Sequence, residues 1–212
     1  MSVALAKSAT KLASTVEVVP SGGRAAATRS RICATASALF FERGFAPVTM
    51  DEIARASDIR RSTLYLHFRD KDEILGAIAV DYADNLRPIV ASLVGPEPSR
   101  AAIVDWVNDM ARFVSKEPAA TELLVSLSHL PKAPAAAAAF GVALQKMMAE
   151  RVAAFGRALE PGQTLAYAWG VAAMDGLGWA LCHHARTGGN EVSQARLAVA
   201  AEQLNRFVRG DF

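Results

Sequence analysis

Between Thr63 and Lys71 the chain sets a hydroxyl, a phenol, an imidazole and an ammonium close together, on Thr63, Tyr65, His67 and Lys71. Apolar Leu64, Leu66 and Phe68 separate them, and Arg60, Arg61 and Ser62 come just before. These groups donate hydrogen bonds well but lack the partners that bond-making chemistry needs. No nucleophile stands with a base, and there is neither a glycine-rich phosphate loop nor a metal-ligand cluster at workable spacing. Their natural counterpart is the phosphate backbone of a duplex. Thr49, Tyr65, His67 and Lys71 are expected on phosphate oxygens, which fix register without reading sequence. Arg60, Arg61, Ser62 and Leu66 are the candidate base-edge readers. Arginine can pair two donors with guanine O6 and N7, and leucine can meet a thymine methyl. Phosphate is the alternative partner for either arginine, and helix packing the alternative role for Thr63.

A surface of this kind must be carried on short, well-capped helices. From Ser30 to Phe45, Ile32, Ala36, Leu39, Phe40 and Phe45 recur at helical spacing, and Gly44 stands where that helix should end. Thr49 and Glu52 have the spacing of a capping box, flanked by Val48 and Ile53, so a short second helix runs to about Ala56 or Ser57. Leu64 and Phe68 point a third helix inward, with Ile59 at its entry. Asp70 and Glu73 open a fourth helix that carries Ile74, Leu75 and Ile78. Helices two and three, joined by a short turn and backed by the first, form a helix-turn-helix unit. Nine Lys and Arg against five Asp and Glu lie between Arg24 and Lys71, whereas the whole chain carries only +2. The positive field is therefore concentrated at this end.

The run Ile53-Ala54-Arg55-Ala56-Ser57-Asp58-Ile59-Arg60-Arg61-Ser62-Thr63-Leu64-Tyr65-Leu66-His67-Phe68-Arg69-Asp70-Lys71, closing at Leu75, resembles the N-terminal signature of TetR-family transcriptional regulators. The likeness covers about fifty residues, and beyond them only the family's general plan applies. Three positions depart from the pattern. Asp58 takes the place of a turn glycine and must tolerate a left-handed backbone. Arg60 replaces the usual serine cap, at a cost of about 1 kcal/mol. Ser62 replaces a glycine or alanine. The resemblance implies a DNA-binding repressor, dimeric through its last two helices, bound to an inverted-repeat operator in double-stranded DNA and released by a small-molecule effector. The alternative is a similar DNA-binding protein whose C-terminal bundle binds a protein partner instead of an effector.

The 212 residues, 52% hydrophobic and rich in alanine, leave room for a second, larger helical domain and show almost no alternating strand pattern. The expected architecture is all-α, about nine helices in all. It comprises a flexible arm over residues 1–27, the helix-turn-helix domain over 28–75, and a ligand-binding and dimerisation bundle over 76–212. The arm, with Lys7, Lys11, Arg24 and Arg29 around a Pro20-to-Gly23 joint, does not read as a signal peptide. It is a plain tail or else a minor-groove contact. Pro88 should kink or end the fourth helix. Further helices are expected at about 99–115, 118–130, 135–159, 163–187 and 192–209. The helix at 163–187 is nearly all apolar from Leu165 to Cys182, yet Asp175 within it and the absence of a second span argue against a membrane.

Within the bundle, Trp106, Met110, Phe113, Leu127 and Phe140 offer a broad apolar pocket surface, with Met147, Trp169 and Met174 beside them. His129, Asp109, Gln145, Tyr167 and Asp175 are the polar groups available to orient a ligand. Few positive charges fall in these stretches, so the expected effector is neutral and largely apolar. Ala166, Gly170, Ala173 and Leu177, with Leu197, Ala201, Leu204 and Val208 on the next helix, form the candidate dimer stripes. No cofactor or metal is expected. Adjacent His183 and His184 point about 100° apart on a helix, and Cys33 and Cys182 form no pattern, which fits a reducing cytoplasm.

Overall fold

The computed structural model describes residues 23–93 and 95–211; ten α-helices and no strand occur among them. Helix α1 (Gly23–Arg43) ends where Gly44 turns to φ +81° and donates its N–H to the Phe40 carbonyl at 2.9 Å. Helix α2 (Met50–Ala56) starts from the full Thr49–Glu52 capping box, and α3 (Arg61–His67) follows a tight turn. Asp58 occupies that turn at φ +51°, the left-handed conformation its position requires. Helix α4 (Lys71–Ala91) opens on Asp70, whose carboxylate accepts the Glu73 N–H at 2.8 Å.

Helices α5 (Arg100–Val114), α6 (Pro118–Ser128), α7 (Ala135–Ala149) and α8 (Ala153–Ala158) build the bundle, closed by the hairpin of α9 (Thr164–Thr187) and α10 (Glu191–Arg209). One apolar core runs through both parts. Phe40, Ile53, Leu64 and Phe68 in the head are continuous with Leu86, Trp106, Leu124 and Met148 in the bundle. Helix α1 packs on α4 and α6, so the head is braced against the bundle at α6 as well as through α4, its covalent link.

Three expectations change. Helix α1 begins at Gly23, so the boundary placed at residues 27 and 28 falls inside a helix; Arg24 and Arg29 belong to α1. The rest of the proposed arm, including Lys7, Lys11 and Pro20 to Gly22, lies outside the described residues. Pro88 does not end α4, which continues to Ala91. The Ile89 carbonyl in this last turn accepts both Trp106 Nε1–H at 2.9 Å and Ser92 Oγ–H at 2.8 Å, anchoring the turn beyond the proline. The single helix expected over 135–159 is two. Val152 adopts extended geometry, and the Ala153 N–H goes to the Pro96 carbonyl at 2.8 Å instead of continuing the helical ladder.

Candidate nucleic-acid interface

Helix α3 buries Leu64 and Phe68 and turns the opposite face to solvent. Arg60, Arg61, Ser62, Tyr65 and Leu66 are all exposed on that side, with Thr63 and His67 half-buried at its edge. Leu66 is 84% exposed, an apolar side chain among the polar groups of that face. Arg60 makes no cap hydrogen bond, as its lack of an acceptor oxygen dictates. Arg61 reaches back to Asp51 in the first turn of α2, with Nη1 at 3.0 Å from the carboxylate, and lies 5.5 Å from the Tyr65 ring. A candidate base reader is thus held in place by an acid on the preceding helix. Sequence reading missed this partner because the link crosses from one helix to the next.

Two expected phosphate ligands are otherwise engaged. The Thr49 hydroxyl accepts the Glu52 N–H at 3.3 Å and donates to the Glu52 carboxylate at 2.9 Å, while the Thr49 N–H meets the same carboxylate at 2.9 Å. Arg43 adds an ion pair to Glu52 at 2.8 Å. These bonds, the Thr49 backbone bond foremost, hold the Glu52 carboxyl down at about 2. Lys71 donates to the carbonyls of Phe45 at 2.9 Å, Ala46 at 2.6 Å and Val48 at 3.3 Å, and sits 4.8 Å from the Phe45 ring. An ammonium has three N–H donors, so this geometry makes Lys71 a clamp between α4 and the α1–α2 loop instead of an open phosphate ligand. Arg29 has a similar task. It donates to the His67 carbonyl at 2.9 Å and stacks on Phe68 at 4.0 Å, tying the end of α3 to α1. It is therefore no part of a minor-groove arm.

The bundle residues scatter differently from expectation. A cavity of about 950 Å³ opens between the end of α4, α5 and the α9–α10 hairpin. Of the expected pocket residues only Phe113 lines it, joined by Asp109. Trp106, Met110, Leu127, Phe140 and Met147 are buried core. Phe140 packs edge-on to Tyr82 at 5.6 Å, and Tyr82 shares a 2.8 Å hydrogen bond with Thr121. Met174 packs against that core, while Trp169 faces outward. His129 sits on the surface, 3.1 Å from Asp175 and with its ring tilted against Trp179, centroids 5.5 Å apart. The cavity's cationic lining, Arg112 and Lys116, went unpredicted because these residues come from a helix end and the turn after it.

The expected dimer stripes also point inward. Gly170, Ala173, Leu177, Leu197, Ala201, Leu204 and Val208 are all buried within the chain, and Ala166 packs against the same core. A Cβ on Gly170 would lie 2.9 Å from the Phe207 ring, so the small residue serves the α9–α10 contact. The open face of α9 is rotated from it and carries Leu165, Ala172 and Trp179; on α10 it carries Val192 and Val199. Burial pushes the Cys33 thiol up to about 12 and the Cys182 thiol up to about 11, so neither ionises readily. Among the described residues no cluster of acids, histidines and cysteines could hold a metal. No helix among them is long and apolar enough to cross a membrane.

Residues 32–78 match the family model of bacterial regulatory proteins, tetR family. Over 77 residues the chain is 34% identical to the HTH-type transcriptional regulator SrpR of Pseudomonas putida, a match covering 36% of this chain and 36% of that protein. The chain therefore spans about a third of that relative. Solved structures extend the likeness to the whole fold. A TetR-family transcriptional regulator of Syntrophomonas wolfei superposes with a TM-score of 0.65 at 14% identity, covering 88% of this chain and 97% of that one. FadR of Thermus thermophilus, a TetR-family repressor solved in complex with lauroyl-CoA, gives 0.54 at 23% identity over 87% and 95%.

Proposed function

We propose that the chain, whose residues 32–78 match the tetR-family model, is a TetR-family DNA-binding regulator and a dimeric repressor, released from an inverted-repeat operator by a small effector. The observation that carries the DNA half of this reading is the exposed face of α3, where Leu66 at 84% exposure lies beside Arg60, Arg61 and Tyr65. A face of basic and apolar groups, with its opposite side locked into the core, suits the major groove of a duplex. Arg60, Arg61, Ser62 and Leu66 read base edges; Tyr65 and His67 hold phosphates; Thr63 supports them from the edge. Thr49 and Lys71 position the helices that carry these groups.

The open apolar faces of α9 and α10 support dimerisation. Leu165, Ala172 and Trp179 on one helix, and Val192 and Val199 on the next, would pair with the same residues of a second copy in a four-helix interface. The cavity supports the effector half, because Pro88, Ile89 and Ser92 at the end of α4 form part of its wall. Helix α4 begins at the Lys71 clamp and ends at the cavity, so a ligand there acts on the helix that carries the head. The same fold holding lauroyl-CoA in the Thermus protein is consistent with a ligand-binding bundle.

Selection of duplexes from a random DNA pool by the purified chain, at two salt concentrations, tests the central claim. The expected product is an inverted repeat whose enrichment survives the higher salt. Binding without a motif that collapses with salt would reduce the interface to phosphate contact and overturn sequence-specific repression.

A further inference from the structure

We infer that the bundle cavity takes an amphiphilic anion, a ligand with an alkyl-like body and a single negatively charged head of carboxylate type. The inference rests on reading the bundle as an effector domain and goes against the neutral ligand that the sequence favoured. Two features of the cavity carry it. The first is size with apolar walls: about 950 Å³, bounded by Val104, Val107, Phe113, Leu197 and Ala198. A small inorganic anion would leave most of that space unfilled, and the volume is at the upper end of small-molecule sites.

The second feature is an uneven charge. Arg112 and Lys116 line the cavity against one acid, Asp109. Asp109 is already bonded to Arg112. Lys116 makes no ion pair among the described residues, so a full positive charge at the rim lacks a counterion. Lys116 is exposed, so a neutral ligand gains nothing from that charge. An anionic head gains a charge-assisted hydrogen bond there, and Asn108, Ser115 and Gln194, which also line the cavity, offer further polar contacts. The head lies at the α5 end and the hairpin, and the body runs along the last turns of α4.

The test is isothermal titration calorimetry of the full chain with three probes sharing one tail: decanoate, decanol and decyltrimethylammonium. Decanoate should bind more tightly than decanol by about tenfold, the effect of one charge-assisted hydrogen bond, and the cation weakest of all. Lys116→Gln should remove most of the decanoate preference and leave decanol unchanged. Both Lys116 and the second target Ala198 are exposed, and a thermal melt checks that each variant folds. Ala198→Trp should block all three probes. Equal or tighter binding of decanol, or decanoate affinity untouched by Lys116→Gln or by Ala198→Trp, would overturn the inference. Gel shift on the selected operator separates the two readings. Decanoate that binds with the expected preference yet leaves the DNA complex intact keeps the ligand class and removes the effector role.

Discussion

Glu52 shows how much one side chain in the head can hold. Its carboxylate accepts from the Thr49 N–H and hydroxyl and pairs with Arg43, so it joins the end of α1 to the start of α2. These partners favour the charged form and lower its pKa from 4.5 to about 2. The folded-state value lies below the unfolded one. The group therefore adds stability above about pH 4.5, and that contribution is lost as pH falls toward 2. Glu52→Gln should lower the melting temperature at neutral pH and make its decline between pH 4.5 and 2 shallower than in the unaltered chain. Melting curves collected across that range decide it. Parallel declines in the two proteins would show that the carboxylate's ionisation adds no stability.

At the scale of elements, α9 carries the sharpest test, because two readings of one glycine differ in what they break. If Gly170 served a dimer, Gly170→Ala would weaken association and spare the fold of each chain. The added methyl would lie only 2.9 Å from Phe207 and 3.5 Å from Phe155. The substitution should therefore destabilise the chain itself, by about 1–3 kcal/mol. Denaturant unfolding at two protein concentrations separates the cases, since a loss that disappears on dilution would belong to association. The contrast explains what could be read in advance. Thr49 with Glu52, Asp70 with Glu73, and Gly44 set helix ends through bonds between near neighbours, so these ends and the head itself were legible. The inward face of α9 was not. That helix is apolar almost all round, so its composition does not say which side meets Phe207 and which meets solvent. The break after α7 depends on the distant Pro96 carbonyl, and the engagement of Lys71 on carbonyls before α2; neither leaves a mark in local spacing.

For the whole molecule acting as the proposed dimer, the decisive quantity is the geometry between two heads, since one head offers α3 alone to a groove. Linking two heads turns the second half-site contact into an intramolecular event, and that gain reaches about 10²–10⁴-fold when the spacing matches. The open faces of α9 and α10 are the surfaces that would set the spacing, with Leu165 and Val199 at 67% and 59% exposure among their most accessible apolar residues. Leu165→Glu combined with Val199→Glu places like charges across a symmetric interface while leaving the chain's own core untouched. Sedimentation should show a monomer with unchanged helical circular dichroism. Affinity for the full inverted repeat should fall by about 10²–10⁴-fold, with binding to an isolated half-site unchanged. The two losses must come together if α4 carries each head from the same bundle that makes the proposed interface. A variant that stays dimeric, or a monomer that still prefers the full repeat, would move the interface off this face. The lever that joins cavity, interface and head would then have to be sought through the α1–α6 contact instead.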